Sequence, residues 1–370
     1  MYQPQHQPPL VWLLCGGPSS EYQVSISSAL NVALSLDRSA YQVLPVCIHP
    51  SGHWWLAREP LGAHSTAIEI RSLFEAFELD EPDSSIVAYP PAAIGAQKEG
   101  KIHQQPPDCA LVMIHGELGE DGVLQGLLEV LNVPYTGSGV LACALSMDKI
   151  LCQKILAQHT ITVPPHATLK LEAGQDPTEA HSLAIGEKVG YPCFVKPSNG
   201  GSSIGISLVE SAAQLPAALT EAARYDSAIL IERKIEGVEV TCGVMDLVED
   251  HGVVNTVAFP PTEIAPLDAA YFDYEAKYTS GKTDEITPAR FPQKVLDDIR
   301  ATAMRVHAIL GCEGYSRVDM IVSGEQVYVF ETNTVPGMTP TSLFPQGARA
   351  HGLNPAQMLD QLIRYAWWKR

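Results

Sequence analysis

Leu10-Val11-Trp12-Leu13-Leu14-Cys15-Gly16-Gly17-Pro18-Ser19 is the stretch that decides the fold class. A short apolar run stops at a glycine-rich break, and Val24 to Leu36 beyond it has the periodicity of a helix. Strand, glycine turn and helix in that order open an α/β fold. Gly16-Gly17 is not followed by the G-x-G-x-x-G of a dinucleotide fold, which removes a nicotinamide oxidoreductase from consideration.

Outward from this unit the alternation continues. Tyr41 to Ile48 and Cys109 to Ile114 read as strands and Gly122 to Leu131 as a helix, whereas 53–108 is proline-rich in patches and yields one helix near Ser72 to Phe77. Met147-Asp148-Lys149 opens a helix through Leu156. Strands follow at Pro192 to Lys196, Ile206 to Val209 and Ala228 to Ile235, with a helix at Ala212 to Arg224. Val238 to Met245 and Val253 to Phe259 read as strands, then a long polar loop, a helix at Pro292 to Leu310 and a hairpin at Tyr315 to Asn333. Pro355 to Arg370 places Leu359, Leu362, Ile363 and Trp367 on one helical face. At 370 residues the chain exceeds a single core, and the reading divides it into 1–140, 141–235 and 236–370, the first a doubly wound parallel-sheet domain.

The 24 Lys and Arg against 42 Asp and Glu give a net charge of −18, which argues against a nucleic-acid or anionic-membrane surface. No secretory signal and no apolar run near the ~20 residues of a membrane span is found. The eight cysteines form no C-x-x-C pair and sit in apolar segments, as buried thiols of a reducing compartment do. A cytoplasmic protein is the expectation.

Two segments carry chemistry. Ser198-Asn199-Gly200-Gly201-Ser202-Ser203-Ile204-Gly205 is either a hairpin turn or a phosphate lid, and Lys196 just before it favours phosphate. Folding the hairpin at Ser323-Gly324-Glu325 brings Asp319 almost opposite Glu331, with Asn333 on the same face as Glu331. Two carboxylates and an amide select a hard cation, Mg²⁺ or Mn²⁺. Arg317 faces the same way, either as an oxyanion stabiliser or as a salt-bridge partner of one of these acids.

These segments resemble the D-alanine–D-alanine ligases of the ATP-grasp superfamily. The resemblance rests on Gly16 to Glu21 with Val24-Ser25, and on His115-Gly116 with Gly119-Glu120-Asp121-Gly122 and Gln125-Gly126. It continues through Pro134 to Gly137, Ser146 to Lys149, Lys196-Pro197 with Gly201 to Ser203, and Tyr274 to Tyr278. Arg317 to Asp319 and Glu331 to Thr334 with Pro336 to Thr339 close the set, in family order from about residue 10 to 350.

The resemblance implies a three-domain fold, ATP between the central and C-terminal domains, and ligation through an acyl phosphate. It implies Asp319, Glu331 and Asn333 as ligands of two Mg²⁺ ions. Lys149 and Lys196 would contact ATP phosphates, Glu239 the ribose and Glu232 the adenine side, with Ser203, Arg233 and Lys277 also at the nucleotide. Glu21 would bind the ammonium of the first D-alanine, and Ser202 and Tyr278 would join it in closing a lid. Arg317 and the Gly337 N–H would form an oxyanion hole. Ser342 and Leu343 would hold the second carboxylate, with His115 nearby or simply a satisfied buried histidine. An intact Tyr274 to Tyr278 favours an amine as second nucleophile over D-lactate, while D-serine stays open. A homodimer is expected. Tyr22-Gln23, Arg233 and Thr332 depart from the family pattern. The rivals are a ligase of other second-substrate specificity and a non-catalytic ATP- or amino-acid-binding module.

Overall fold

We describe residues 8–78, 85–89, 106–172, 175–201, 204–266 and 283–370 of a computed structural model of the 370-residue chain. Three sheets organise it. In the first, β1 (Leu10–Gly16) runs parallel to β2 (Gln42–Ile48) on one side and to β5 (Cys109–Val112) on the other. Two strands that the sequence reading did not find, β3 (Trp54–Ala57) and β4 (Ile86–Tyr89), extend the β2 edge antiparallel. The parallel centre is thus as expected, with an antiparallel margin. Helices α1 (Tyr22–Ser35), α2 (Ala67–Ala76) and α3 (Val123–Val130) belong to this region. Gly16 is obligatory: at φ +85° any Cβ would lie 2.3 Å from the Ile48 carbonyl oxygen. That close passage lets Gly17 N–H donate to the same oxygen at 2.7 Å and aims the Ser19–Glu21 turn over the end of the sheet.

The second sheet is antiparallel, ordered β6-β9-β7-β8, with β6 (His166–Lys170), β7 (Cys193–Pro197), β8 (Ser207–Val209) and β9 (Ala228–Arg233). Helices α6 (Glu179–Val189) and α7 (Leu215–Ala222) close over it, and its apolar cluster is drawn wholly from residues 167–231. The glycine- and serine-rich loop joins β7 to β8, so it is a hairpin connection.

The third sheet is built on β10 (Val238–Val248), which pairs antiparallel with β14 (Tyr315–Ser323) on one edge and with β11 (Val254–Ala258) and β12 (Thr262–Pro266) on the other. β15 (Gln326–Asn333) and β13 (Thr283–Ile286) are the outer strands and α8 (Gln293–Ile309) covers the apolar face. β12 and β13 correct the reading of a long polar loop after Phe259. Charged residues interrupt the apolar signal: Glu285 lines the larger cavity, while Glu263 on the opposite face is held by Arg290.

The helix expected from Met147-Asp148-Lys149 is present and starts at Lys149. Asp148 leaves helical geometry (ψ 96°) and splits the segment into α4 (Val140–Met147) and α5 (Lys149–Gln158), capping α5 through the Leu151 N–H at 3.0 Å. The chain ends in α9 (Leu343–His351) and α10 (Pro355–Trp368). Leu359, Leu362 and Ile363 of α10 share one apolar cluster with Val11 and Leu13 of β1, so the last helix completes the first core. All eight cysteines are buried and free.

Candidate active site

The β14–β15 hairpin carries the central constellation. Its register pairs Arg317 with Asn333 and Asp319 with Glu331, then shifts by one so that Met320 faces Val329. Phe330 is the extra residue of this bulge. A bulge lets neighbouring residues share a face, and Phe330 and Glu331 line the same cavity. Buried Asp319 receives Arg317 through Nε at 2.9 Å and Nη2 at 2.8 Å, Thr241 Oγ1 at 2.6 Å and Asn333 Nδ2 at 2.9 Å. Arg317 therefore stands in a bidentate salt bridge, one of its two anticipated states.

Asn333 donates from Nδ2 and keeps its Oδ1 as an acceptor beside the two carboxylates. Among the described residues no three His, Cys, Asp or Glu side chains gather at one point. A cation here would take two carboxylates and one amide oxygen from the protein and fill its shell with ligand or water oxygens. That donor set fits Mg²⁺, which keeps waters and substrate oxygens rather than a full protein cage.

Two adjoining cavities meet at this hairpin, of about 640 Å³ and 410 Å³. Lys149, Gly200, Gly201, Glu239, Ile264 and Glu331 line both. Lys149, at the first position of α5, hydrogen-bonds the Gly200 carbonyl and lies 3.9 Å from Glu331. The smaller cavity is enclosed by Lys196, Glu232, Arg233, Phe194 and Phe330. Lys196 and Glu232, on paired strands β7 and β9, form a buried ion pair that Gln153 of α5 completes at 2.7 Å. The Lys196 ammonium also lies 5.5 Å from the Phe194 ring centroid and 5.6 Å from that of Phe330. Arg233 turns its Nε to the Val189 carbonyl at 2.7 Å.

The larger cavity gathers Glu21, His115, Arg317, Gly337, Ser342 and Leu343. Glu21 is wedged between two glycines: a Cβ at Gly116 or at Gly201 would stand 2.8 or 2.9 Å from its Oε2. The Gly200-Gly201 loop of the second sheet thus closes directly on the carboxylate of the first. His115 is fully engaged, with Nδ1 2.9 Å from the Val335 carbonyl and Nε2 3.0 Å from Ser28 Oγ. The carbonyl requires the proton on Nδ1, and burial lowers the His115 pKa, so the ring is neutral. Its arrangement is that of a satisfied buried histidine which fixes the 335–338 turn. Ser342 is the N-cap residue of α9, yet its Oγ takes the Thr339 N–H at 2.9 Å, not a helix N–H. No side chain caps the first turn of α9, and Ser342 and Leu343 at its start line the cavity.

Ser202, Ser203, Lys277 and Tyr278 lie outside the described residues. Three groups escaped the sequence reading. Glu120, quoted in a motif without a role, spans the Gly116 N–H at 2.9 Å and the Val335 N–H at 2.8 Å. Burial, reinforced by Glu21, pushes its carboxyl up to about 7. Glu285 of β13 and Gln346 of α9 also line the larger cavity. Burial raises Glu285, against the pull of Arg317. Neither belongs to a recognisable motif, and only the folding of strands and helix around the cleft selects them.

Residues 10–138 match the family description "D-ala D-ala ligase N-terminus" and residues 155–364 match "D-ala D-ala ligase C-terminus". The chain belongs to the D-alanine–D-alanine ligase family. It is 38% identical over 357 residues to the D-alanine–D-alanine ligase of Syntrophobacter fumaroxidans, covering 96% of this chain and 97% of that relative. It is 37% identical to that of Leptospira biflexa, covering 95% and 97%. Two solved structures are similar at 30% identity over 97% of this chain. One is the D-alanine–D-alanine ligase from Coxiella burnetii (TM-score 0.79, 94% of that chain). The other is the VanG D-Ala:D-Ser ligase from Enterococcus faecalis (TM-score 0.80, 100% of that chain).

The expected α/β architecture is borne out by these neighbours. Within the ligase family pattern, the departures at Tyr22 and Thr332 have local structural consequences. Tyr22 Oη donates to the Phe77 carbonyl at 2.8 Å and ties α1 to α2, while buried Thr332 Oγ1 has no partner among the described residues.

Proposed function

We propose that the two cavities hold ATP and two D-alanines and that the chain joins the amino acids into D-alanyl-D-alanine, the dipeptide of peptidoglycan precursors. The observation that carries this reading is the hairpin that sets Glu331 on the wall shared by the two cavities, with Arg317, Asp319 and Asn333 beside it in the larger one and Lys196 and Arg233 in the smaller. The carboxylate of the first D-alanine attacks the γ-phosphorus, ADP leaves, and an acyl phosphate forms. The amine of the second attacks the acyl carbon, and phosphate departs from the tetrahedral intermediate.

In this reading Lys149 and Lys196 offset phosphate charge, Glu239 takes the ribose, and Glu232 and Arg233 border the base. Glu21 takes the first ammonium, with Gly200-Gly201 seated over it. Arg317, released from Asp319 when a cation takes that carboxylate, and the Gly337 N–H stabilise the oxyanion. The first N–H groups of α9 with Ser342 and Leu343 receive the second carboxylate. Asp319, Glu331 and Asn333 would hold the divalent cations, two Mg²⁺ with Mn²⁺ as substitute, which neutralise charge on the β- and γ-phosphates.

We further propose the domains 1–140, 141–235 and 236–370, which the three sheets support, a cytoplasmic location and a homodimer. Among the described residues no helix is long and apolar enough to cross a membrane. Val123 and Val130 of α3 are exposed apolar residues on the first domain. Sedimentation at micromolar concentration tests the dimer, and a monomer would overturn it. The test of function is ATP-dependent phosphate release with Mg²⁺ and D-alanine alone, with products identified by mass. D-alanyl-D-alanine is the expected product. ATP binding without release for any amino-acid pair would leave a binding module.

A further inference from the structure

We propose that Asn31 of α1 is a positioning residue for the bond-forming step: with Ser28 it holds the backbone of Met338, and through it the Gly337 N–H that meets the developing oxyanion. This rests on the ligation reading above. The turn after β15 is gripped on both flanks by side chains of the first domain. At Val335 the N–H goes to Glu120 Oε1 at 2.8 Å and the carbonyl accepts from His115 Nδ1 at 2.9 Å. At Met338 the N–H goes to Ser28 Oγ at 3.1 Å and the carbonyl accepts from Asn31 Nδ2 at 2.7 Å. The Met338 side chain is buried in the same apolar cluster as Ile26, Ala29 and Val32 of α1. Gly337 lies between the two grips, and glycine constrains its own backbone least, so its neighbours set the direction of its N–H.

The hydrogen bonds across the turn form one connected course. The Val335 carbonyl keeps the His115 proton on Nδ1, so Nε2 is an acceptor and the Ser28 hydroxyl, 3.0 Å away, donates to it. The Ser28 oxygen is then free to receive the Met338 N–H. Asn31 adds a grip on the Met338 carbonyl that does not pass through His115. Ser28 stands seven residues beyond Glu21, two helical turns, and Asn31 three further on, so the three recur along one side of α1. One rigid helix thus joins the carboxylate read as receiving the first ammonium to the groups that hold the oxyanion turn. The oxyanion arises only when the amine attacks the acyl carbon. Support of this turn therefore speeds dipeptide formation and leaves acyl-phosphate formation unchanged.

The experiment uses the full chain with Mg²⁺, D-alanine and ATP carrying heavy oxygen at the β–γ bridge. Label that moves from the bridge to a non-bridging position counts acyl phosphate formed and returned, and mass counts the dipeptide. Asn31→Leu keeps the volume and removes the donor, while Asn31→Asp removes the donor and keeps the side chain polar. Each is expected to lower kcat for D-alanyl-D-alanine about 10-fold, with the KM for ATP within about two-fold of wild type. The ratio of label exchange to dipeptide is expected to rise about 10-fold, because the donor is displaced and only the second step is slowed. A purely structural role would lower exchange and dipeptide together. A ratio within about two-fold of wild type, in either variant with a wild-type thermal midpoint, overturns the inference and leaves the ligation reading intact. Failure of the wild type to form the dipeptide overturns both.

Discussion

Asp319 accepts hydrogen bonds from Arg317, Thr241 and Asn333, while Glu331, directly across the ladder, has Lys149 as its cation. The two acids thus differ in surroundings, and the more exposed Glu331 is the one a cation reaches first. Glu331→Ala is expected to lower turnover at least ~100-fold, the scale of losing one preorganised electrostatic contact, with a thermal midpoint close to wild type. Near-normal turnover at saturating Mg²⁺ would remove the metal assignment.

Glu120 supplies a pH test at the same scale. Its carboxyl is raised from 4.5 to about 7 in the fold, chiefly by burial. A raised acid contributes stability that is complete below the unfolded value and is lost as pH climbs through the folded one. Between pH 4.5 and about 8 the wild type should therefore lose about 3 kcal/mol relative to Glu120→Gln. Urea midpoints of both chains at pH 5 and pH 8 measure it, and parallel behaviour would refute it.

At the scale of elements, the break between α4 and α5 does two things at once. Asp148 caps α5 and accepts Ser198 Oγ at 2.7 Å, which pins the start of the Gly200-Gly201 loop to the helix whose first residue is Lys149. Asp148→Ala should cost about 1 kcal/mol as a lost cap and raise the KM for ATP more than it changes stability. Equal binding of ATP by calorimetry would show that the cap is only a cap. The bulge at Phe330 acts similarly on the hairpin. Period-two alternation was enough to put Asp319 near Glu331, but the one-residue shift that sets half-buried Phe330 beside Lys196 has no signature in the residue pattern.

For the molecule as a whole, α10 is a strap. It buries Met358, Leu359, Leu362, Ile363 and Ala366 against a cluster that begins at Val11, and Trp367 Nε1 reaches the Asp108 carbonyl at 2.8 Å. Exposing those five side chains would cost on the order of 10 kcal/mol, comparable to the whole stability of a domain. Removal of residues 355–370 is therefore expected to abolish cooperative unfolding of the first sheet as well as activity. A truncated chain with a wild-type melting profile would contradict this.

The sequence by itself determined the α/β class, the strand–glycine–helix opening, the hairpin with its acids and amide, and the family through motifs in order. Each of these is local, set by side-chain periodicity or by a backbone that only glycine can adopt. Tertiary structure alone decided that His115 is consumed by Ser28 and Val335, that Glu232 answers Lys196, and that Glu120, Glu285 and Gln346 line the cleft. Those facts depend on which distant segments meet. Burial and partnership are properties of the enclosure, and they change the charge and availability of a side chain without leaving a mark on its neighbours in sequence.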